Sequence, residues 1–138
     1  MAVSGIEGWA LLLGRILFGV VVAAMGLNHF QQTDWLAGYA EAKGVPAPTA
    51  AVLGSGAVLV LGGLGIAAGV LPIVSGVAVA AFLVVSAVSI HDYWAADEED
   101  RADEQSAFMK NLAMAGGAVT FAAVGTQTWA LSAGVTLF

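Results

Sequence analysis

The chain has 138 residues, of which 59% are hydrophobic and only 10% charged, with a net charge of −6 and a mean hydropathy of +0.89. An ordinary soluble domain is about 45–50% apolar and ~25% charged, so the residues for a polar coat are missing. The lack of cysteine excludes disulfide, thiol-redox and thiolate-metal chemistry, and the negative balance argues against nucleic acid or anionic lipid as a partner.

The few charges are also unevenly placed. None occurs in residues 16–33, 44–91 or 111–138. A membrane span needs about 20 mostly apolar residues, so these stretches make room for one, two and one spans. The expected fold is all-α: a polytopic membrane protein forming an antiparallel four-transmembrane-helix bundle. It is one domain over residues 1–138, with spans near 9–30, 49–69, 72–94 and 108–128. The stretch His91–Gly117 holds seven of the ten acidic residues and reads as a water-exposed turn between the last two spans. Few lysines, many loop carboxylates and abundant Ala, Val and Gly give a halophile-like composition.

Residues 1–8 lack Lys and Arg, and a cleavable signal peptide wants a basic n-region, so the first apolar stretch is read as retained. Span 1 opens on Trp9, which suits an interfacial anchor. Arg15 is the one charge within it. The residue either snorkels to the headgroups or faces the bundle and pairs there; its nearness to the span end favours snorkelling. In Gln31–Ala47, the residues Trp35, Leu36, Tyr39 and Ala40 recur at helical spacing, with Asp34, Gly38, Glu41 and Lys43 off that face. That pattern predicts a short amphipathic helix on the membrane surface.

Span 2 is rich in glycine, and Gly65 and Gly69 have the spacing that lets helix backbones approach closely. Val70-Leu71-Pro72 then turns the chain so sharply that spans 2 and 3 must be antiparallel neighbours. Tyr93 and Trp94 end span 3 as an aromatic belt. Ala95–Ser106 is rich in helix formers and suits a helical extension into water. Span 4 begins near Phe108 and reaches at least Gly125, and the last nine residues either finish the helix or lie on the surface. A weak symmetry relates residues 9–70 to 72–137, as two helix–loop–helix halves.

Four antiparallel spans bring Asn28, His29, His91, Asp92, Lys110 and Asn111 to one membrane face. This is the candidate ligand-binding cluster. Arg15 stands apart, about 21 Å along its helix from His29. The histidines could be read as axial haem ligands or a metal pair, but they stand at span ends beside aromatics and carboxylates. Interfacial hydrogen bonding is the favoured reading, and no metal site is expected. Asp92 is placed to orient His91 only if the fold turns the two together, since adjacent helical side chains diverge by about 100°. Asn111 falls inside an apolar segment, where an unpaired amide is costly, so it should bond to another helix or to a ligand.

Six strings carry a resemblance: LLLGRILFG (Leu11–Gly19), AAMGLNHF (Ala23–Phe30), GVP (Gly44–Pro46), LGGLGIAAGV (Leu61–Val70), HDYW from His91, and KNLAMAGG (Lys110–Gly117). In this order and spacing they resemble the DoxX family of small four-helix membrane proteins. The resemblance implies association with membrane redox systems, some relatives being described as subunits of a thiosulfate:quinone oxidoreductase. Arg15, Asn28, His29 and Asn111 match its motif positions, and His91 and Lys110 less strict ones. Many relatives carry a glutamate where this chain has an apolar residue, about Leu59. A quinone is the cofactor implied, with lipid, other redox subunits or a second copy of the chain as partners. The alternative is a non-catalytic assembly protein docking a membrane partner. Transport would want an interrupted helix at mid-membrane, and span 2 has no mid-span proline. Lys43, Arg101 and Lys110 on the loop-bearing face would place both chain ends outside. No catalytic residue is assigned.

Overall fold

The computed structural model describes residues 2–136. Its helices are α1 (Gly5–Gln31), α2 (Thr33–Ala42), α3 (Pro48–Ala68), α4 (Pro72–Ser89) and α5 (Arg101–Ala123). A two-residue strand β1 (Ala2–Val3) pairs in parallel with β2 (Thr128–Trp129). Both α3 and α4 begin on proline, whose missing N–H is tolerated at a helix start. The preceding Ala47 and Leu71 are barred from the right-handed region by that proline and sit at φ 47 and 45, at about 1–2 kcal/mol each.

Close packing of α1 on α3 runs through glycine. A Cβ on Gly63 would lie 2.5 Å from the carbonyl oxygen of Gly19 and 2.6 Å from the nitrogen of Ala23. One on Gly26 would lie 2.7 Å from the nitrogen of Val60. These pairings, Gly19 with Gly63 and Gly26 with Gly56, make the helices antiparallel and nearly backbone-to-backbone. The contact expected from Gly65 and Gly69 is a different one: Gly65 packs on Ser75 of α4, and Gly69, at φ 70, ends α3. Gly76 of α4 meets Ala118 and Ala122 of α5, and Phe18 of α1 meets Phe121 of α5 at 5.4 Å, bringing α1 against α5.

Leu59, Ile66, Val79 and Leu83 are fully buried inside. Many other apolar side chains point outward, among them Trp9, Leu13, Leu17, Leu61 and Val85. Close glycine contacts between helices and an apolar outer face are what hydrocarbon, not water, favours. Three segments are long and apolar enough to cross a membrane: Gly5–Gln31, Pro48–Ala68 and Pro72–Ala95. Helix α5 is not among them, because Arg101, Asp103, Glu104, Lys110 and Asn111 make its first half polar.

Two connections depart from expectation. Ala95–Ser106 is no helical extension: α4 stops at Ser89, a 3₁₀ turn covers Tyr93–Ala95, and α5 starts afresh at Arg101. Tyr93 and Trp94, at the end of the apolar segment Pro72–Ala95, stack edge-on against Phe108, at 5.3 and 5.7 Å, pinning the turn to α5. Beyond α5, which stops at Ala123 short of the expected Gly125, residues 130–136 lie at the surface, one of the two expected outcomes; Leu137 and Phe138 lie outside the described residues. The chain after α5 folds back as a cap across the other end of the bundle. Ala133 N donates to Ala68 O at 2.8 Å, and Leu71 N donates to Val135 O at 2.6 Å. Trp129 is buried there, and its indole donates to Val124 O at 2.9 Å.

Replacing Gly63 with alanine should destabilise the bundle by about 1–3 kcal/mol, as overpacking against backbone does. Gly54→Ala, where an added Cβ meets nothing within 4 Å, should stay within about 0.5 kcal/mol of wild type. Unfolding in mild detergent measures both.

Candidate functional site: a cavity beneath α2

The ends of α1 and α4 and the start of α3 meet at the end of the bundle opposite the cap. Helix α2 lies across them, buried through Ala37 and Ala40. Between these elements is a cavity of about 940 Å³, whose wall is mostly apolar. Val52, Phe82 and Val85 form part of that wall, and His29, Tyr39, Lys43, Ser55, His91 and Asp92 supply its polar groups.

Each polar group is held by a partner on another element. His29 Nδ1 lies 2.9 Å from Ser55 Oγ, and Ser55 donates to Val52 O at 3.0 Å. The single hydroxyl hydrogen is thereby used, so His29 Nδ1 is the donor and Nε2 the acceptor of the neutral ring. His91 Nδ1 lies 2.9 Å from Glu104 Oε2. Glu104 Oε1 accepts a hydrogen bond from the Tyr39 hydroxyl. Lys43 pairs with Asp92 and stands 5.7 Å from the centre of the Tyr39 ring. Two polar links therefore tie α2 down: Tyr39 to Glu104 on α5, and Lys43 to Asp92 after α4.

These contacts shape the titration of the cluster. Burial raises the Glu104 carboxyl, but hydrogen bonds from Tyr39 and His91, with the charges of His91 and Lys43, outweigh it and hold the group below its ordinary value. Burial first, then the bond to Glu104 and the charges of Glu104, Asp92 and Asp100, push the Tyr39 phenol well above its ordinary range. Tyr39 thus remains a donor and Glu104 an acceptor at neutral pH.

The expected cluster divides. His29, His91 and Asp92 come together at the cavity. Asn28 accepts from Gln32 at 2.7 Å on its own helix end, and Lys110 is exposed. Asn111 is 7% exposed on the inner face of α5, and its amide takes no part in the side-chain hydrogen bonds among the described residues. Arg15 does not snorkel. It is 1% exposed, donates through Nη2 to Leu131 O under the cap, and lies 5.6 Å from the Trp129 ring centre. Its Nε and Nη1 have no partner among the described residues. Asp92 does not orient His91; Glu104 does, because Asp92 turns to Lys43. Leu59, where the resemblance suggests a glutamate, lies in the core.

Tyr39, Lys43, Ser55 and Glu104 were not singled out from sequence. Glu104 had a signal: it stands on one helical stripe with Asn111, Ala115 and Ala118, the inner face of α5. Tyr39 and Lys43 had none, because a surface helix and a cavity roof have the same periodicity.

A bundle of apolar helices with apolar side chains over its outer face defines a helical membrane protein. The chain belongs to the DoxX family, whose model matches residues 10–92. That stretch contains His29, Tyr39, Lys43, Ser55, His91 and Asp92, while Glu104, Lys110 and Asn111 lie beyond it. Searches of curated proteins and of solved structures return no match.

Two outcomes follow from the contacts at either end. Arg15→Ala should loosen the cap by about 1.5–3 kcal/mol, the worth of a hydrogen bond to a charged group. Faster amide exchange at Leu71 and Ala133, with α2 unchanged, would register it. At the other end, the Glu104 carboxyl is lower in the folded state than in the unfolded one. Its stabilisation is therefore complete above the ordinary value of about 4.3 and is lost as pH falls through the lower folded value. Amide protection of α2 should hold down to about pH 4.3 and fall only below it. In Tyr39→Phe the folded value moves back toward the ordinary one, so the fall should start at the same pH and be smaller.

Proposed function

We propose that the chain is a multi-pass cell-membrane protein whose cavity takes a quinone or isoprenoid-like amphiphile, as a subunit or accessory of a quinone-linked membrane redox system. Helix α5 is the fourth span, and α2 lies along the membrane surface as the roof of the site. The cavity carries this reading. Its volume lies within the range of about 300–1,000 Å³ usual for small-molecule sites, and it pairs an apolar wall with a few fixed polar groups. Lys43, whose ammonium has hydrogens beyond the one Asp92 takes, offers donors to a ring carbonyl, His29 Nε2 offers an acceptor to a ring hydroxyl, and the valine-rich wall suits an isoprenoid tail.

Reduction of a quinone takes up electrons and protons in equal number. Those electrons come from a partner subunit or from a quinol, which is oxidised to quinone in turn. The polar set for the ligand is His29, His91 and Asp92 with Tyr39, Lys43 and Ser55, and Arg15 serves the cap. Asn111, facing inward on α5, is the remaining candidate of the predicted set.

Extraction in mild detergent followed by solvent extraction and chromatography should recover quinone at close to one per chain, and substitution of His29 by leucine should lower that yield. A stoichiometric protein partner without quinone would favour a docking role instead. The span count has a separate test, since a chain without cysteine accepts single reporters cleanly. Four spans place cysteines introduced at Ser4 and Ser132 on one side of the membrane and those at Glu41 and Glu98 on the other. Labelling of all four from one side would contradict it.

A further inference from the structure

The two histidines of the cavity are held differently. Neutral groups surround His29 Nδ1: the Ser55 hydroxyl at 2.9 Å and the Val52 carbonyl at 3.3 Å. A carboxylate holds His91 Nδ1, Glu104 Oε2 at 2.9 Å, and the other oxygen of that carboxylate is occupied by Tyr39. An ionised carboxylate only accepts, so the Nδ1 of His91 carries hydrogen in either protonation state. Nε2 is then the nitrogen that changes: an acceptor when the ring is neutral, a donor when it is charged. A carboxylate fixing one imidazole nitrogen sets the tautomer and stabilises the imidazolium, which prepares the other nitrogen for a ligand.

We propose that His91, held by Glu104, is the residue by which the cavity distinguishes the oxidised from the reduced form of a quinone-type ligand. The inference rests on the quinone reading of the site. A quinone carbonyl only accepts hydrogen bonds, so it is favoured by charged His91, whose Nε2–H donates to it. A quinol hydroxyl donates, so it is favoured by neutral His91, whose Nε2 lone pair accepts from it. Quinone binding therefore draws a proton from water onto Nε2, forming an N–H bond, and no electron moves in this step. Tyr39 is a positioning residue that fixes Glu104.

The charged and titratable groups around His91 are Glu104 on α5, Tyr39 and Lys43 on α2, and its neighbour Asp92, with His29 of α1 on the same cavity. Asp92 is engaged by Lys43, which leaves Glu104 as the carboxylate acting on the ring.

The test is a pair of binding curves on the full chain in mild detergent, with decylubiquinone and decylubiquinol as probes, read by quenching of tryptophan fluorescence, Trp35 being the tryptophan that lines the cavity. Between about pH 5 and about pH 8, the window in which histidine changes charge, affinity for the quinone should fall about tenfold and affinity for the quinol should rise. His91→Gln should flatten both curves, because an amide donates and accepts at every pH. Glu104→Gln should weaken the contrast between the two forms. A second measurement needs no variant: ¹⁵N spectra of the wild-type protein with quinol bound should show the lone pair of neutral His91 on Nε2. Parallel pH profiles for the two probes, or a lone pair on Nδ1, would overturn the role of His91 while leaving the cavity a quinone site. Failure of both probes to bind at any pH would overturn the quinone reading itself, and this inference with it.

Discussion

Two helices with almost nothing between their backbones set the terms for the rest of the molecule. At Gly19, Gly26, Gly56 and Gly63, the chains of α1 and α3 approach so closely that a single methyl group would strike backbone atoms. In hydrocarbon there is no gain from hiding leucine from lipid, so helices associate through van der Waals fit and close approach. Glycine supplies that approach along one face of each helix, and its helix-weakening effect is tolerable where every backbone bond is kept intact by the surroundings. A few bulky side chains, Leu59, Ile66, Leu83 and Trp129 among them, pack inside, and many others turn outward to the lipid.

Close approach in the middle of the bundle leaves its two ends to be closed by other means. At one end the C-terminal segment does so, with backbone bonds to Ala68 and Leu71 and the buried guanidinium of Arg15 beneath it. At the other end α2 makes the closure through side chains alone: two alanines and two polar links. The cavity lies under this second, lighter closure. Its polar groups come from α1, α2, α3 and the turn after α4, so it exists only when the bundle is assembled. A buried charge at one end and a cluster of balanced charges at the other are different solutions to one difficulty, the desolvation of ions near hydrocarbon.

Much of this was legible in the sequence. Uncharged runs marked the long helices, Pro48 and Pro72 marked two helix starts, and topology alone drew His29, His91 and Asp92 to one end. Distances along the chain misled where side chains had a choice of partner. Arg15 is near enough to a span end to reach headgroups, but the folded-back segment offers it a carbonyl and an aromatic face, and nothing in residues 124–136 announced that fold. Asp92 adjoins His91, yet the salt bridge to Lys43 turns it away. Glu104 was one acid among many in a charged loop, separated from the others only by its stripe on α5. Fold follows from the placement of charge; site follows from which of several like residues faces inward, and a single sequence encodes that far more faintly.

The central claim is that the space beneath α2 is a ligand site and not a packing gap. A photoreactive short-tailed quinone, irradiated with the protein in lipid and mapped by mass spectrometry, addresses it directly. Label confined to the segments around Tyr39–Val45 and Val85–Asp92, and displaced by excess unlabelled quinone, is the predicted result. Label spread along the outward face of α1 at Trp9, Leu13 and Leu17, and indifferent to competitor, would contradict it.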